Sequence, residues 1–286
     1  MQNIYPSIAL KLFGYGIKCL HDPNWTGMVL YDHIKQHIRG RIEPINLLKK
    51  PLERGLSYYL GKWFYDEYFS ELRLEYLHGE YAVWFLDDFY EMLIYHQFKS
   101  SPSLDQIKSL INKIEKMYEK NEKEYWDYLE SEEVNVEIEQ AFKNAVAFYK
   151  NSIQHLKVNY AENFADRMLH DRQLCFYVSQ LILQIGFDGN NDDTGPKQWV
   201  ERAYWTERVK SILKARDRGK CAICGSDLTM ELEAPIHIDH MIPITKGGCN
   251  DIVNLQILCD SCNLSKSNNS HEIKSSVPNY LKRKTT

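Results

Sequence analysis

The chain has 286 residues, 44% of them hydrophobic and 26% charged, with a formal net charge of −4. This composition excludes a disordered or low-complexity protein, and 19 tyrosines with 6 tryptophans point to aromatic-rich packed cores. The charge is unevenly divided: from residue 197 onward 14 Lys and Arg stand against 10 Asp and Glu, net +4, while residues 1–196 hold 21 against 29, net −8. Only the C-terminal region is suited to a polyanion.

In chain order, the opening MQNIYPSIALKLFGYG lacks a basic leader and a small-residue cleavage site, which predicts a cytoplasmic protein. The most apolar run, CFYVSQLILQIGF at 175–187, is too short to span a bilayer, so no membrane association is expected. Residues 52–77 and 81–98 carry aromatic and aliphatic side chains at spacings of three and four, the pattern of buried helices. A further helix is predicted over 103–130, with Ser103 as its N-cap and Ile107, Leu110, Ile111, Ile114 and Met117 as one stripe. A long helical segment follows at about 135–186, with Ile138, Phe142, Val146, Phe148, Tyr149 and Ile153 as its apolar positions. Arg73 and His78 have a ribonuclease-like Arg-x4-His spacing, but an isolated pair on a helix carries little weight.

DGNNDDTGP at 188–196 has linker chemistry. The fold expected is mainly α: a helical domain at 1–187, a linker at 188–198, and a small α+β domain at 199–286. That last domain is predicted to open on a single amphipathic helix over 199–219, ended by Gly219. Two short β runs follow, PIHIDHMIPI and NLQILC, around a Gly-Gly loop, and then a short helix in SCNLSKSNN.

Two paired motifs flank the β runs. Cys221 and Cys224 lie in KCAICG, and Cys259 and Cys262 lie in LCDSCN. Each Cys-x2-Cys lets one tight turn present two sulfurs to one ion, and four thiolates make a closed tetrahedral zinc site. With no position open to water, such a zinc is structural. Cys19 and Cys175 read as buried small hydrophobes, and Cys249 as a free thiol near the site. Nested between the two pairs are Asp239 and His240, a carboxylate and an imidazole that a zinc frame does not need.

The stretch DHMIPITKGGCNDIVNLQILCDSCNLSK resembles the HNH nuclease motif, a ββα-metal unit, in the subgroup held by a four-cysteine zinc. The likeness covers about 219–269, less than a fifth of the chain. It implies that Asp239 is a metal-binding carboxylate, His240 the general base, and Asn254 the residue that holds the loop and orients the histidine. Asn263 takes the last position of the motif as a second ligand to a catalytic metal. Two oxygen ligands without a second imidazole favour Mg²⁺ or Mn²⁺.

The expected activity is hydrolysis of phosphodiester bonds in DNA. Lys246 and Lys266 are candidate phosphate contacts, as is a basic helix face of Arg208, Lys210, Lys214, Arg216 and Lys220. His237 reads as a partly exposed strand residue. The helical domain is expected to bind a protein partner or to oligomerise, with the nuclease as effector of a bacterial defence or phage-related system. The competing reading is a zinc-dependent nucleic-acid-binding module without catalysis.

Overall fold

In the computed structural model, residues 4–21, 48–70, 79–185, 200–229, 235–269 and 273 are described. Among the described residues seven helices come first: α1 (Pro6–His21), α2 (Leu56–Tyr68), α3 (Glu80–Tyr95), α4 (Pro102–Lys120), α5 (Glu122–Leu129), α6 (Glu132–Leu169) and α7 (Arg172–Ile185). Then come α8 (Glu207–Arg216), β1 (His237–His240), β2 (Leu255–Leu258) and α9 (Asp260–Lys266), with single 3-10 turns at Ile244–Lys246 and Ile252–Asn254. The protein is mainly α with one small sheet near its C-terminus, as the sequence predicts. Among the described residues no helix is long and apolar enough to cross a membrane.

Local polar chemistry divides what periodicity joins. Ser101, not Ser103, caps α4: its Oγ accepts from the Leu104 N–H at 3.1 Å, and Pro102 takes the first helical position, where its missing N–H costs nothing. The stripe of Ile107, Leu110, Ile111 and Ile114 is buried as expected. The predicted helix at 103–130 is two helices, because Asn121 adopts an extended backbone and its Oδ1 accepts from Lys123 and Glu124 N–H, starting α5 afresh. Likewise the run at 135–186 breaks after Leu169. Asp171 Oδ1 accepts from the Gln173 and Leu174 N–H groups and caps α7. Phe148, read as belonging to the apolar face, is 58% exposed.

The described residues fall into two compact units. One is drawn from Met1–Gly16 and Gly61–Asn163, the other from Ile17–Leu60 and Phe164–Thr286. The first has an aromatic core in which the Phe142 ring lies 5.2 Å from Phe85 and 4.9 Å from Phe89. The second holds the β1–β2 hairpin and also takes in α7 and residues 48–60. The linker predicted at 188–198 and the Arg73/His78 pair are not covered by the described residues.

In the second unit α8 begins at Glu207, eight residues later than the periodicity predicts, because Thr206 Oγ1 accepts from Val209 N–H and sets the first turn. Gly219, at φ 64°, closes the C-terminal end with its N–H on the Lys214 carbonyl. Val209 and Leu213 of α8 pack with Ile238, Leu255, Ile257 and Leu258 of the hairpin. Arg216 departs from the expected basic face: it is 4% exposed. Its guanidinium grips the Asp217 carboxylate at 2.8 and 2.9 Å and the Leu255 carbonyl at 2.7 Å, tying α8 to β2.

Candidate active site

The hairpin is antiparallel, with His237 opposite Leu258, Ile238 opposite Ile257, Asp239 opposite Gln256 and His240 opposite Leu255. Alternation along β1 puts Ile238 in the core and turns His237 and Asp239 toward α9, which packs on this strand. His237 Nε2 lies 3.1 Å from Asp260, and Asp239 Oδ2 lies 3.0 Å from Lys266 Nζ. Neither approach has hydrogen-bond alignment: Lys266 and Asp239 form an ion pair, and the His237 ring lies beside the Asp260 carboxylate. Asp239 Oδ2 also accepts from Gln256 Nε2 at 3.0 Å.

Four cysteine sulfurs gather at one end of this frame, all within 4.8 Å of one another. The Cys224–Cys259 separation is 3.8 Å, the edge of a tetrahedron whose Zn–S bonds are about 2.3 Å. Gly225, at φ 78°, turns the first knuckle, and the Cys259 sulfur caps α9 by accepting from Cys262 N–H. Hydrogen bonds from Ser226 hold the Cys224 thiol down to about 6, whereas burial and the neighbouring sulfurs push Cys262 up to about 12. A divalent metal would resolve that mismatch by displacing the protons from all four. The cluster fits zinc.

The loop from Met241 to Asn254 is held by Asn254, which is fully buried. Its Oδ1 accepts from Ile242 N–H at 2.8 Å, and its Nδ2 donates to the Ile242 and Cys249 carbonyls, both at 2.9 Å. The Gly-Gly pair has two separate reasons. Gly247 sits at φ 84°, and a Cβ on Gly248 would lie 1.9 Å from the Ile242 carbonyl oxygen and 2.8 Å from Asn254 Nδ2. Gly248→Ala is expected to destabilise the second unit by the upper end of ~1–3 kcal/mol or beyond, read as a lowered urea midpoint. An unchanged midpoint would mean the loop has another conformation.

His240 is buried, with its ring centroid 5.5 Å from that of Trp205. Burial lowers its pKa below the ordinary imidazole value, with the positive charges of Arg202 and Lys266 acting the same way, while Asn250 and Asp239 oppose. The ring is therefore neutral at pH 7. Its Nε2 lies 2.8 Å from Asn250 Oδ1. No hydrogen bond joins Asn254 to His240 among the described residues: Asn254 bonds within the loop, and the amide that meets the imidazole is that of Asn250. Neither Asn250 nor Trp205 stood out in the sequence. Asn250 is one of several polar residues in a loop, and Trp205 falls in a stretch that reads as helix.

Asn263 is half-buried on α9, one turn before Lys266 and hence on the same side of that helix. Lys246 is exposed at the end of its 3-10 turn. Lys266 is only 5% exposed, with its ammonium turned to Asp239. Cys249 is buried too, and burial pushes its thiol up, keeping it protonated.

Residues 221–269 match the family model described as HNH endonuclease. No curated protein and no solved structure matches the chain. With a ββα hairpin closed by four cysteines and an Asp-His pair on its first strand, the chain carries at residues 221–269 a domain of the HNH endonuclease family.

Proposed function

We propose that this protein is a metal-dependent endonuclease that hydrolyses phosphodiester bonds in DNA, with His240 as general base. Asp239 and Asn263 would hold one Mg²⁺ or Mn²⁺ ion, and Asn254 would hold the loop that carries the site. The single observation behind this reading is that a buried imidazole follows directly on a buried carboxylate, on the first strand of the stretch that matches the HNH endonuclease model. The donor set fits a hard cation. Asp239 Oδ2 already faces the Lys266 ammonium, and Gln256 Oε1 beside it is a buried acceptor without a hydrogen-bond partner in the described structure. When bound, the ion would polarise the phosphoryl oxygens and stabilise the departing oxygen. His240 takes the proton of the attacking water, which a neutral imidazole can do at pH 7. Lys246, exposed beside the loop, is suited to a phosphate, and Lys266 would reach one only after leaving Asp239. The helical remainder would dock a partner or control cutting, as in an effector of a defence or phage-related system.

The test is plasmid cleavage by the purified chain with Mg²⁺ or Mn²⁺. Cutting is expected to require the added ion, to stop on chelation, and to be lost in Asp239→Ala with DNA binding retained. The Lys266–Asp239 contact also favours a second reading, a zinc-held nucleic-acid-binding module in which Lys266 serves permanently as the cation. That reading predicts salt-sensitive DNA binding and no cutting by the wild type with any divalent ion.

A further inference from the structure

Asn250 is fully buried in the loop after β1, and its backbone N–H and both polar atoms of its side chain are committed. Its backbone N–H donates to the Leu48 carbonyl at 2.8 Å. Its Nδ2 donates to the carbonyls of Lys49 at 2.7 Å and Glu201 at 2.6 Å. Two carbonyl oxygens at these distances accept only from N–H, so the amide orientation is decided by chemistry: nitrogen toward Lys49 and Glu201, oxygen toward His240. An amide oxygen 2.8 Å from an imidazole nitrogen requires that nitrogen to carry the proton.

We infer that Asn250 is a positioning residue that fixes His240 as the Nε2–H tautomer and leaves Nδ1, which makes no hydrogen bond among the described residues, as the nitrogen that accepts a proton. The inference rests on the reading of His240 as the general base. It adds which ring atom is the base and what decides it. Lys49 and Glu201 lie outside the 221–269 match, so the tautomer is set from beyond the matched stretch, by main-chain carbonyls of flanking chain. The next residue extends the same seat: Asp251 Oδ2 accepts from Leu56 N–H at 2.9 Å, and a Cβ on Gly55 would lie 2.6 Å from that oxygen. Segment 48–56 is thus coupled to the imidazole through one amide.

The test is long-range ¹H–¹⁵N correlation of the histidine rings in the full-length, zinc-loaded chain, with His240 assigned by its disappearance in His240→Gln. The expected result is a protonated Nε2 and an unprotonated Nδ1. In Asn250→Ala this signature should give way to mixed tautomers, and kcat should fall about 10–100-fold while KM changes less than about twofold. A loop that merely lost stability would not produce that split. Should Asn250→Ala fail to fold, the wild-type tautomer decides alone. An Nδ1–H His240 in a wild-type protein that cuts DNA overturns this inference and leaves the nuclease reading standing. An Nε2–H His240 in a wild-type protein that cuts nothing overturns the nuclease reading and leaves the tautomer assignment standing.

Discussion

Stripping the metal from the four-cysteine cluster, by strong chelation or by Cys259→Ser, is expected to unfold the hairpin and α9 and to abolish cutting that added Mg²⁺ cannot restore. The hairpin is only four residues on each strand, and a two-stranded sheet of that size is not stable alone. α9 is seven residues long, below the length at which a helix sustains itself in water. Cys259 ends β2 and caps α9, so one sulfur joins both elements to the metal. Structural zinc sites contribute an apparent ~10–16 kcal/mol in small zinc-folded peptides. Here packing of the hairpin on α8 supplies some of the stability, so that range is an upper bound. The measurements are zinc content, near-ultraviolet circular dichroism and thermal unfolding. A metal-free or Cys259→Ser protein with unchanged melting and full activity would remove zinc from the account. Zinc affinity should also fall with decreasing pH, since the Cys262 thiol starts at about 12 and must lose its proton to bind.

His240→Ala is expected to lower the cleavage rate by roughly 10²–10⁴-fold, the usual contribution of a positioned general base, with zinc content and DNA affinity preserved. The pH dependence follows from burial of the ring. A base must be unprotonated, and burial places the His240 pKa below 6.5, so the wild-type rate should hold as pH falls past 6.5 and drop only through that lower value. The slope should be absent from the residual activity of His240→Ala. Equal rates for wild type and variant across the pH range would show that another group takes the proton.

Much of residues 221–269 was legible as spacing. Two Cys-x2-Cys pairs, an Asp-His step and a Gly-Gly loop each require particular residues at particular separations, and such requirements survive in a one-dimensional string. The four sulfurs do meet. Helices are less faithfully written. The apolar stripes of α4 and α6 were visible, but where α4, α5 and α7 begin depends on backbone N–H groups captured by the side chains of Ser101, Asn121 and Asp171, which leave the periodicity undisturbed.

By itself, then, the sequence determined the helical class, the four-cysteine cluster and the Asp239-His240 step, because these follow from local spacing and from the chemistry of the residue types. Tertiary structure alone decided which groups surround that pair. Asp239 meets Lys266, Arg216 is withdrawn from the surface onto the Leu255 carbonyl, and Asn250 rather than Asn254 meets the imidazole. Each of these depends on a hydrogen bond or ion pair that closes only when distant segments fold together. For Asn250 the partners lie as far as 201 residues away, a separation that no periodicity encodes.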